Sequence, residues 1–171
     1  MLVSKILLVV SVTVGFVVGI STGVSANTAE KYQKVSAQLV AQANAVFSAQ
    51  EYEGAKLLYE RALVAAPANI SALIGLGRTH EAEGDVGKGL KYYRQALEIE
   101  PNDKYALEVQ TLAFLKRDMT DKADSNRDKL ARLCAKGCAA LDVVETAIEA
   151  YKVSKAAEAP STAALAENNG S

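Results

Sequence analysis

The pattern of apolar and polar positions in the middle of the chain occurs twice. The stretch "LYERALVAAPAN" at 58–69 has a looser copy in "YYRQALEIEPND" at 92–103. In this register Tyr59 falls opposite Tyr93, and Pro67 falls opposite Pro101. The apolar residues recur at helical spacing, and a proline ends the helix before it. The pattern therefore predicts two successive helical units, each closed by a proline.

Small residues recur in the same register as these aromatic residues. Ala43 aligns with Gly77, and Ala55 aligns with Gly89. Where two antiparallel helices cross closely, glycine or alanine on one helix leaves room for an aromatic ring on the other. Each unit is therefore predicted to be an antiparallel helix pair, and the chain to be all-α.

The N-terminal segment, 1–26, has a different composition from the rest of the chain. A short positive start is followed by an uncharged run over 6–20 and by small residues up to Ala26, as in a secretory signal peptide cleaved after Ala26. The uncharged run is shorter than the roughly 20 residues that span a bilayer as a helix. Membrane attachment is therefore expected only if this segment stays uncleaved. Asn27 with Glu30 forms a capping box, which predicts that the first helix starts at Asn27.

The other end of the helical region carries a similar signal. Asp142 with Glu145 forms a second capping box and predicts a closing helix from Asp142 to about Ser154. One face of this helix is predicted to carry Val144, Ala147, Ile148 and Tyr151. The remaining residues are small, polar and interrupted by proline, which predicts disorder. The predicted organisation is a signal peptide over 1–26, a helical domain over 27–155 and a disordered tail over 156–171.

The repeated units resemble the tetratricopeptide repeat (TPR) family, whose unit is a helix, a tight turn and a second helix. The unit over 70–103 carries the motif residues Leu76, Gly77, Gly84, Tyr93, Ala96 and Pro101. The unit over 36–69 has Gln50 in place of the turn glycine, and a third, starting at Lys104, is degenerate, with Arg127 at the aromatic position. The resemblance implies a right-handed solenoid with two clear units, a degenerate third and a C-terminal capping helix.

Cys134 and Cys138 form a C-x3-C pair. In an exported protein this pair favours a disulfide over a metal site, because the compartment is oxidising and the zinc spacing and further ligands are missing. Gly137 suits a left-handed helix end that would bring the two cysteines together. We predict a structural disulfide, with a working redox pair as the alternative, and no metal site.

Charge and composition argue against several classes of function. A formal net charge of -1 lacks the basic excess that nucleic-acid binding requires. The single histidine, His80, cannot form a catalytic triad or a ligand cluster, and no Gly-rich phosphate loop occurs. We therefore predict no enzymatic activity, no catalytic residues and no cofactor.

In TPR proteins the first helices of successive units line a concave groove that binds peptides or a partner's helix. The resemblance predicts these groove residues: Val40, Asn44, Phe47, Ile74, Arg78, Glu81, Tyr105, Glu108 and Leu112. Such a mixture can hold a peptide backbone and an anchoring side chain, although Phe47 equally suits an interface between repeats. The family's clamp for a C-terminal carboxylate is matched here at Asn44 alone, which argues against that mode of binding.

Together these features predict a periplasmic scaffold that binds a protein or peptide partner, for example in the assembly of an envelope, secretion or pilus complex. Two alternatives stay open. The first is a structural module that associates with itself by stacking short arrays end to end. The second is a thiol-disulfide participant that uses Cys134 and Cys138.

Overall fold

The computed structural model describes residues 22–167, with side chains over 27–158. Most of the predicted signal peptide, 1–21, lies outside the described residues, as does the range 168–171. The described range consists of these helices: α1 (Thr22–Ser48), α2 (Tyr52–Ala65), α3 (Ile70–Ala82), α4 (Val86–Ile99), α5 (Lys104–Leu115), α6 (Thr120–Leu133) and α7 (Ala139–Glu167). In this part of the chain no helix has the length and apolarity needed to cross a membrane.

The helices pack as a series of pairs. α1 lies against α2, α3 against α4 and α5 against α6, and each pair packs on the next. α7 packs on both α5 and α6 and covers the end of the series. The prediction of an all-α solenoid built from helix pairs is confirmed. The third unit forms a complete pair despite its degenerate motif.

The turn inside each pair uses one residue in the left-handed region of backbone conformation. These residues are Gln50 (φ 63°), Gly84 (φ 88°) and Asp118 (φ 55°). They are equally spaced along the chain, in the register that aligns Tyr59 with Tyr93, so the repeat seen in the sequence is also a repeat of backbone geometry. Gly84 was expected here because glycine adopts positive φ without a steric penalty. Gln50 and Asp118 hold the same conformation with a side chain attached.

The rings of Tyr59 and Tyr93 are fully buried between the pairs. A Cβ atom on Gly75 would lie 2.3 Å from the Tyr59 ring, and one on Gly77 would lie 2.3 Å from the Tyr93 ring. The predicted packing of Tyr93 against a small residue is therefore observed at Gly77. The same close approach at Gly75 was not predicted. Both faces of α3 thus depend on the absence of a side chain.

Side-chain caps fix the starts of the middle helices. The side chains of Asn69, Asp85 and Asp103 accept hydrogen bonds from the backbone N–H groups of Ala72, Lys88 and Ala106, respectively, at the starts of α3, α4 and α5. Each bond satisfies one of the N–H groups that a helix start leaves without a partner. The prolines at 67 and 101 follow the ends of α2 and α4, as predicted.

The structure corrects the predicted start of the first helix. α1 is already helical at Thr22 and runs through Asn27, so Asn27 is an interior residue and not a cap. In the uncleaved chain the helix continues across the predicted cleavage point, because the chain there contains no helix-breaking proline.

The predicted bounds of the closing helix also differ from the structure. α7 starts at Ala139, because the N–H groups of Leu141 and Asp142 already donate to the carbonyl oxygen of Cys138 at 3.0 and 3.1 Å. It extends to Glu167, whereas disorder was predicted from residue 156. Alanine, which is frequent after residue 155, has the highest helix propensity of all residues and favours this extension. Val144 and Ile148 of α7 are buried against the last pair, so α7 closes the core as expected.

Candidate functional site

The first helices of the three pairs, α1, α3 and α5, lie side by side, and α7 follows them on the far side of α5. We call the surface formed by these four helices the groove. Asn44, Arg78 and Leu112 occupy equivalent positions on the first three helices and lie in a row across it, since they share the register of the repeat. The groove is thus the surface on which the predicted binding residues were placed.

Two of the predicted groove residues do not reach this surface. Val40 is only 8% exposed and Ile74 only 5%. Both side chains pack into the cores between the helix pairs. They stabilise the fold and are not available to a partner. The predicted groove residues that stay half-buried or exposed are Asn44, Phe47, Arg78, Glu81, Tyr105, Glu108 and Leu112.

Arg78 is the half-buried cation of the groove. Its guanidinium carbon lies 4.6 Å from the centre of the Phe47 ring, a cation–π contact that joins α3 to α1. The Phe47 ring also packs on Tyr52, with 5.4 Å between ring centres. Among the described residues no carboxylate lies within ion-pair distance of Arg78. Within that range its charge therefore faces the groove without an anionic partner.

Glu81, in contrast to Arg78, has a partner for each of its carboxylate oxygens. Its Oε2 accepts a hydrogen bond from the Tyr93 hydroxyl at 2.5 Å, and its Oε1 accepts one from Lys116 Nζ at 2.7 Å. Burial, together with the hydrogen bond to this carboxylate, raises the pKa of Tyr93 well above its usual range. Glu81 thus ties α3 to α4 and α5, and both of its oxygens are engaged. Lys116, which the sequence reasoning missed, is neutralised by it.

The remaining polar groove residues differ in how they are held. Asn44 Oδ1 accepts a hydrogen bond from the Tyr59 hydroxyl at 2.6 Å, which fixes the amide. Glu108 is half-buried, and burial raises the pKa of its carboxyl group. Tyr105 is 44% exposed. α5 therefore presents the Glu108 carboxyl group and the Tyr105 phenol to the groove.

A cavity of about 460 Å³ opens into the groove between α3, α5 and α7. Its lining residues are Arg78, Glu81, Tyr93, Val109, Leu112, Leu115, Lys116, Ala147 and Tyr151. Three of the predicted groove residues, Arg78, Glu81 and Leu112, meet here. Ala147 and Tyr151 were predicted only as one face of the closing helix, and that amphipathic pattern was the signal that could have placed them in the site.

Two contacts hold α7 in place over this cavity. The Tyr151 hydroxyl donates to Asp118 Oδ1 at 2.7 Å, and Lys155 Nζ lies 3.1 Å from the same oxygen. Asp118 is the left-handed residue between α5 and α6. The bonds lower the pKa of the Asp118 carboxyl group, chiefly through the Tyr151 hydroxyl.

Cys134 and Cys138 are joined in a disulfide, with 5.6 Å between their Cα atoms. Gly137 between them has φ 83°, the left-handed conformation that its position suggested. Cys134 caps the end of α6, and Cys138 directly precedes α7. The disulfide therefore joins the end of one helix to the start of the next. Cys134 is only 6% exposed.

His80 is buried at 9% exposure and takes no part in the groove. Its ring stacks on Tyr92, with 5.4 Å between ring centres and 5° between planes. Nδ1 lies 3.4 Å from Glu83 Oε2. The structure thus gives this histidine a packing role.

Comparison with known proteins identifies the repeats. Residues 46–113 match the family model described as tetratricopeptide repeat. This match runs from the end of α1 through most of α5. It confirms the two clear repeats and ends within the first helix of the third unit. No curated protein shows significant similarity to the chain.

Solved structures share the fold. The TPR domain of Sgt2 from Aspergillus fumigatus superposes with a TM-score of 0.63 at 26% identity, covering 73% of this chain and 81% of that one. The Yersinia enterocolitica type III secretion chaperone SycD, in complex with a peptide of the translocator YopD, gives 0.60 at 19% identity, covering 69% and 92%. The first TPR of Spaghetti (RPAP3), bound to the HSP90 peptide SRMEEVD, gives 0.61 at 14% identity, covering 69% and 94%.

Proposed function

We propose that this tetratricopeptide repeat protein is an exported scaffold that holds a segment of a partner protein in its groove, as part of envelope, secretion or pilus assembly. The observation that carries the proposal is Arg78, a half-buried cation at the centre of the groove that has no carboxylate partner among the described residues. A charge in that setting gains more from an incoming anionic or hydrogen-bonding group than an exposed charge does.

Proteins of the same fold support the proposal. The Yersinia chaperone is in complex with a translocator peptide, and the Spaghetti domain is bound to an HSP90 peptide. Extended peptides and amphipathic helices are common ligands of helical grooves. In this chain, equivalent positions on the first helices of the three pairs carry side chains that are exposed or half-buried in the groove. These are Asn44, Arg78 and Leu112.

The proposed periplasmic location depends on the N-terminal sequence. The apolar run over 6–20 and the small residues up to Ala26 suit cleavage by a signal peptidase. Mass spectrometry of the purified native protein should give an N-terminus at Asn27, and cell fractionation should place it in the periplasm. An intact N-terminus on protein recovered from the cytoplasm would reject the location and leave the groove proposal standing.

Charge reversal at Arg78 tests the binding function. Immobilised wild-type protein should retain a partner from an envelope extract, and Arg78→Glu should reduce its recovery about tenfold or more, since a charge-assisted hydrogen bond becomes a repulsion. Arg94→Glu is the matched control, because Arg94 is exposed on α4, outside the groove. Equal recovery with both variants would contradict the proposal, provided that both melt like the wild type.

The self-association alternative has one observation in its favour. Val143 (42% exposed) and Val153 (62% exposed) leave apolar area on the outer side of α7. Sedimentation velocity across a hundredfold range of concentration separates this alternative from the proposed scaffold. The redox alternative is less well supported, because Cys134 is buried beside Leu130 and Val144.

A further inference from the structure

One wall of the groove cavity comes from outside the repeats. Ala147 and Tyr151 belong to α7, beyond the range 46–113 that matches the repeat family. The hydrogen bond from Tyr151 to Asp118 fixes α7 at this distance from α5. The cavity thus depends on α7 as well as on the helices of the repeats.

The floor of the cavity is apolar. Val109, Leu112 and Leu115 of α5 face Ala147 of α7 across it. A volume of about 460 Å³ lies within the range of roughly 300–1,000 Å³ typical of ligand pockets. Because the cavity opens into the groove, an occupant can enter with one side chain while the rest of its chain continues along the groove.

The charged side chains on the rim of the cavity differ in whether they already have a partner of opposite charge. Glu81 is engaged by both Tyr93 and Lys116, and Lys116 is neutralised by Glu81. Within the described part of the chain, the contact found for the Arg78 guanidinium is the face of the Phe47 ring. The unneutralised charge that the described residues leave on the rim is therefore positive, and a complementary partner carries a carboxylate at that point.

We propose that the cavity anchors a large apolar side chain of the partner segment, while a carboxylate of the same segment pairs with Arg78. This inference rests on the proposed function of the groove, and it adds the chemistry of the partner: an acidic residue within about one helical turn of a Leu, Ile, Met or aromatic residue. The α7 helix of this chain does not compete for the cavity, since its Ala147 and Tyr151 form the wall.

A small apolar molecule is the competing occupant. It would fill the floor between Val109 and Ala147 but would leave Arg78 without an anion. A polypeptide segment satisfies both parts of the site at once, and the charge complementarity favours it.

Selection from a phage-displayed library of random dodecapeptides tests the proposal. The target is the full chain, expressed with its own N-terminal segment and purified. Enriched peptides should share a large apolar residue and an Asp or Glu within four positions of it. A synthetic peptide of the enriched sequence then serves as the probe in fluorescence anisotropy.

Two substitutions examine the two halves of the site. Ala147→Trp fills the cavity and should weaken the probe at least about tenfold, the effect of withholding burial from one large apolar side chain. Arg78→Gln should weaken it about tenfold, and a probe in which the acid is changed to its amide should bind equally to wild type and Arg78→Gln. Val143→Trp is the matched control, because Val143 lies on α7 without lining the cavity.

Thermal melts show whether Ala147→Trp is folded. Should it unfold, Leu112→Gln replaces it, since Leu112 is a half-buried lining residue. Enriched peptides without an acid, or with affinities unchanged by filling the cavity, overturn this inference but leave groove binding intact. A library without any binder overturns both. Binding of the apolar dye ANS that Ala147→Trp abolishes, with no peptide enriched, overturns the inference in favour of a small apolar ligand.

Discussion

Gln50 and Asp118 take a backbone conformation that disfavours any residue with a Cβ atom. In the left-handed region the Cβ atom crowds the following carbonyl oxygen, at a cost of roughly 1–2 kcal/mol. Asp118 gains hydrogen bonds to Tyr151 and Lys155 from this position. No such side-chain bond is found for Gln50 among the described residues, so its conformation is imposed by the helix pair around it.

Replacement of Gln50 by glycine should therefore stabilise the protein. We expect Gln50→Gly to raise the free energy of unfolding by about 0.5–1 kcal/mol, because glycine adopts positive φ freely. Urea denaturation followed by circular dichroism measures the change. Gln42→Gly is the control: Gln42 is exposed inside α1, and glycine there should cost about 0.5–1 kcal/mol. Destabilisation by both glycines would show that the turn at Gln50 is not strained.

At the scale of the element, α7 is fastened at two points. The disulfide joins its start to the end of α6, and Asp118 holds Tyr151 and Lys155 further along the helix. Between these points Val144 and Ile148 are buried against the last pair. The disulfide closes a loop of very few residues, so it restricts the unfolded chain only slightly.

Removal of the disulfide should lower stability without unfolding the helices. For Cys134→Ala with Cys138→Ala we expect a loss of about 2 kcal/mol, the value that the loop-entropy model gives for so short a loop. Dithiothreitol should shift the urea midpoint of the wild type in the same direction and leave that of the double variant unchanged. Far-UV circular dichroism should stay nearly constant. A reductant-dependent shift in the double variant would contradict the assignment of the effect to this bond.

At the scale of the whole molecule, two buried phenols link stability to pH. Burial raises the pKa of both Tyr59 and Tyr93 above the usual value of about 10. The folded state thus holds these protons more tightly than the unfolded state does. Stability contributed by them is fully present below about pH 10 and decreases as the pH rises above that value.

Thermal melts between pH 7 and pH 12 should show this decrease. Tyr93→Phe should reduce the slope above about pH 10, because one of the two groups no longer titrates. At pH 7 the same variant should lose about 1 kcal/mol, since Glu81 loses the hydroxyl donor. Tyr32→Phe is the matched control, because Tyr32 is 53% exposed and should leave the profile unchanged. A wild-type profile that is flat to pH 12 would refute the link.

The architecture could be predicted from the sequence because the shift that aligns Tyr59 with Tyr93 repeats both side-chain size and turn position. It is harder to predict from the sequence which side chains of the first helices are exposed in the groove and can contact a partner. Val40 and Ile74 occupy the expected helix positions, but the lateral offset between neighbouring helices decides whether such a side chain faces the groove or the core. No pattern within one helix records that offset.

The cavity shows the same limit on a larger scale. Its α5 side follows from the repeat, and the apolar face of α7 was visible as a periodic pattern. The distance between α5 and α7 depends on Asp118 and Tyr151, which are 33 residues apart in the chain. The local spacing of residues does not reveal contacts between side chains so far apart in the chain. The cavity is therefore visible only in the three-dimensional structure.

The two glycines of α3 make the order of this helix dependent on its neighbours. Gly75 and Gly77 weaken this helix by roughly 1 kcal/mol each relative to alanine, yet each admits a ring supplied by a different neighbour. The central helix therefore gains its order from both flanking helices and contributes little on its own. The units are therefore not interchangeable, because truncating the array on either side would remove a ring or a packing surface on which the middle helix depends.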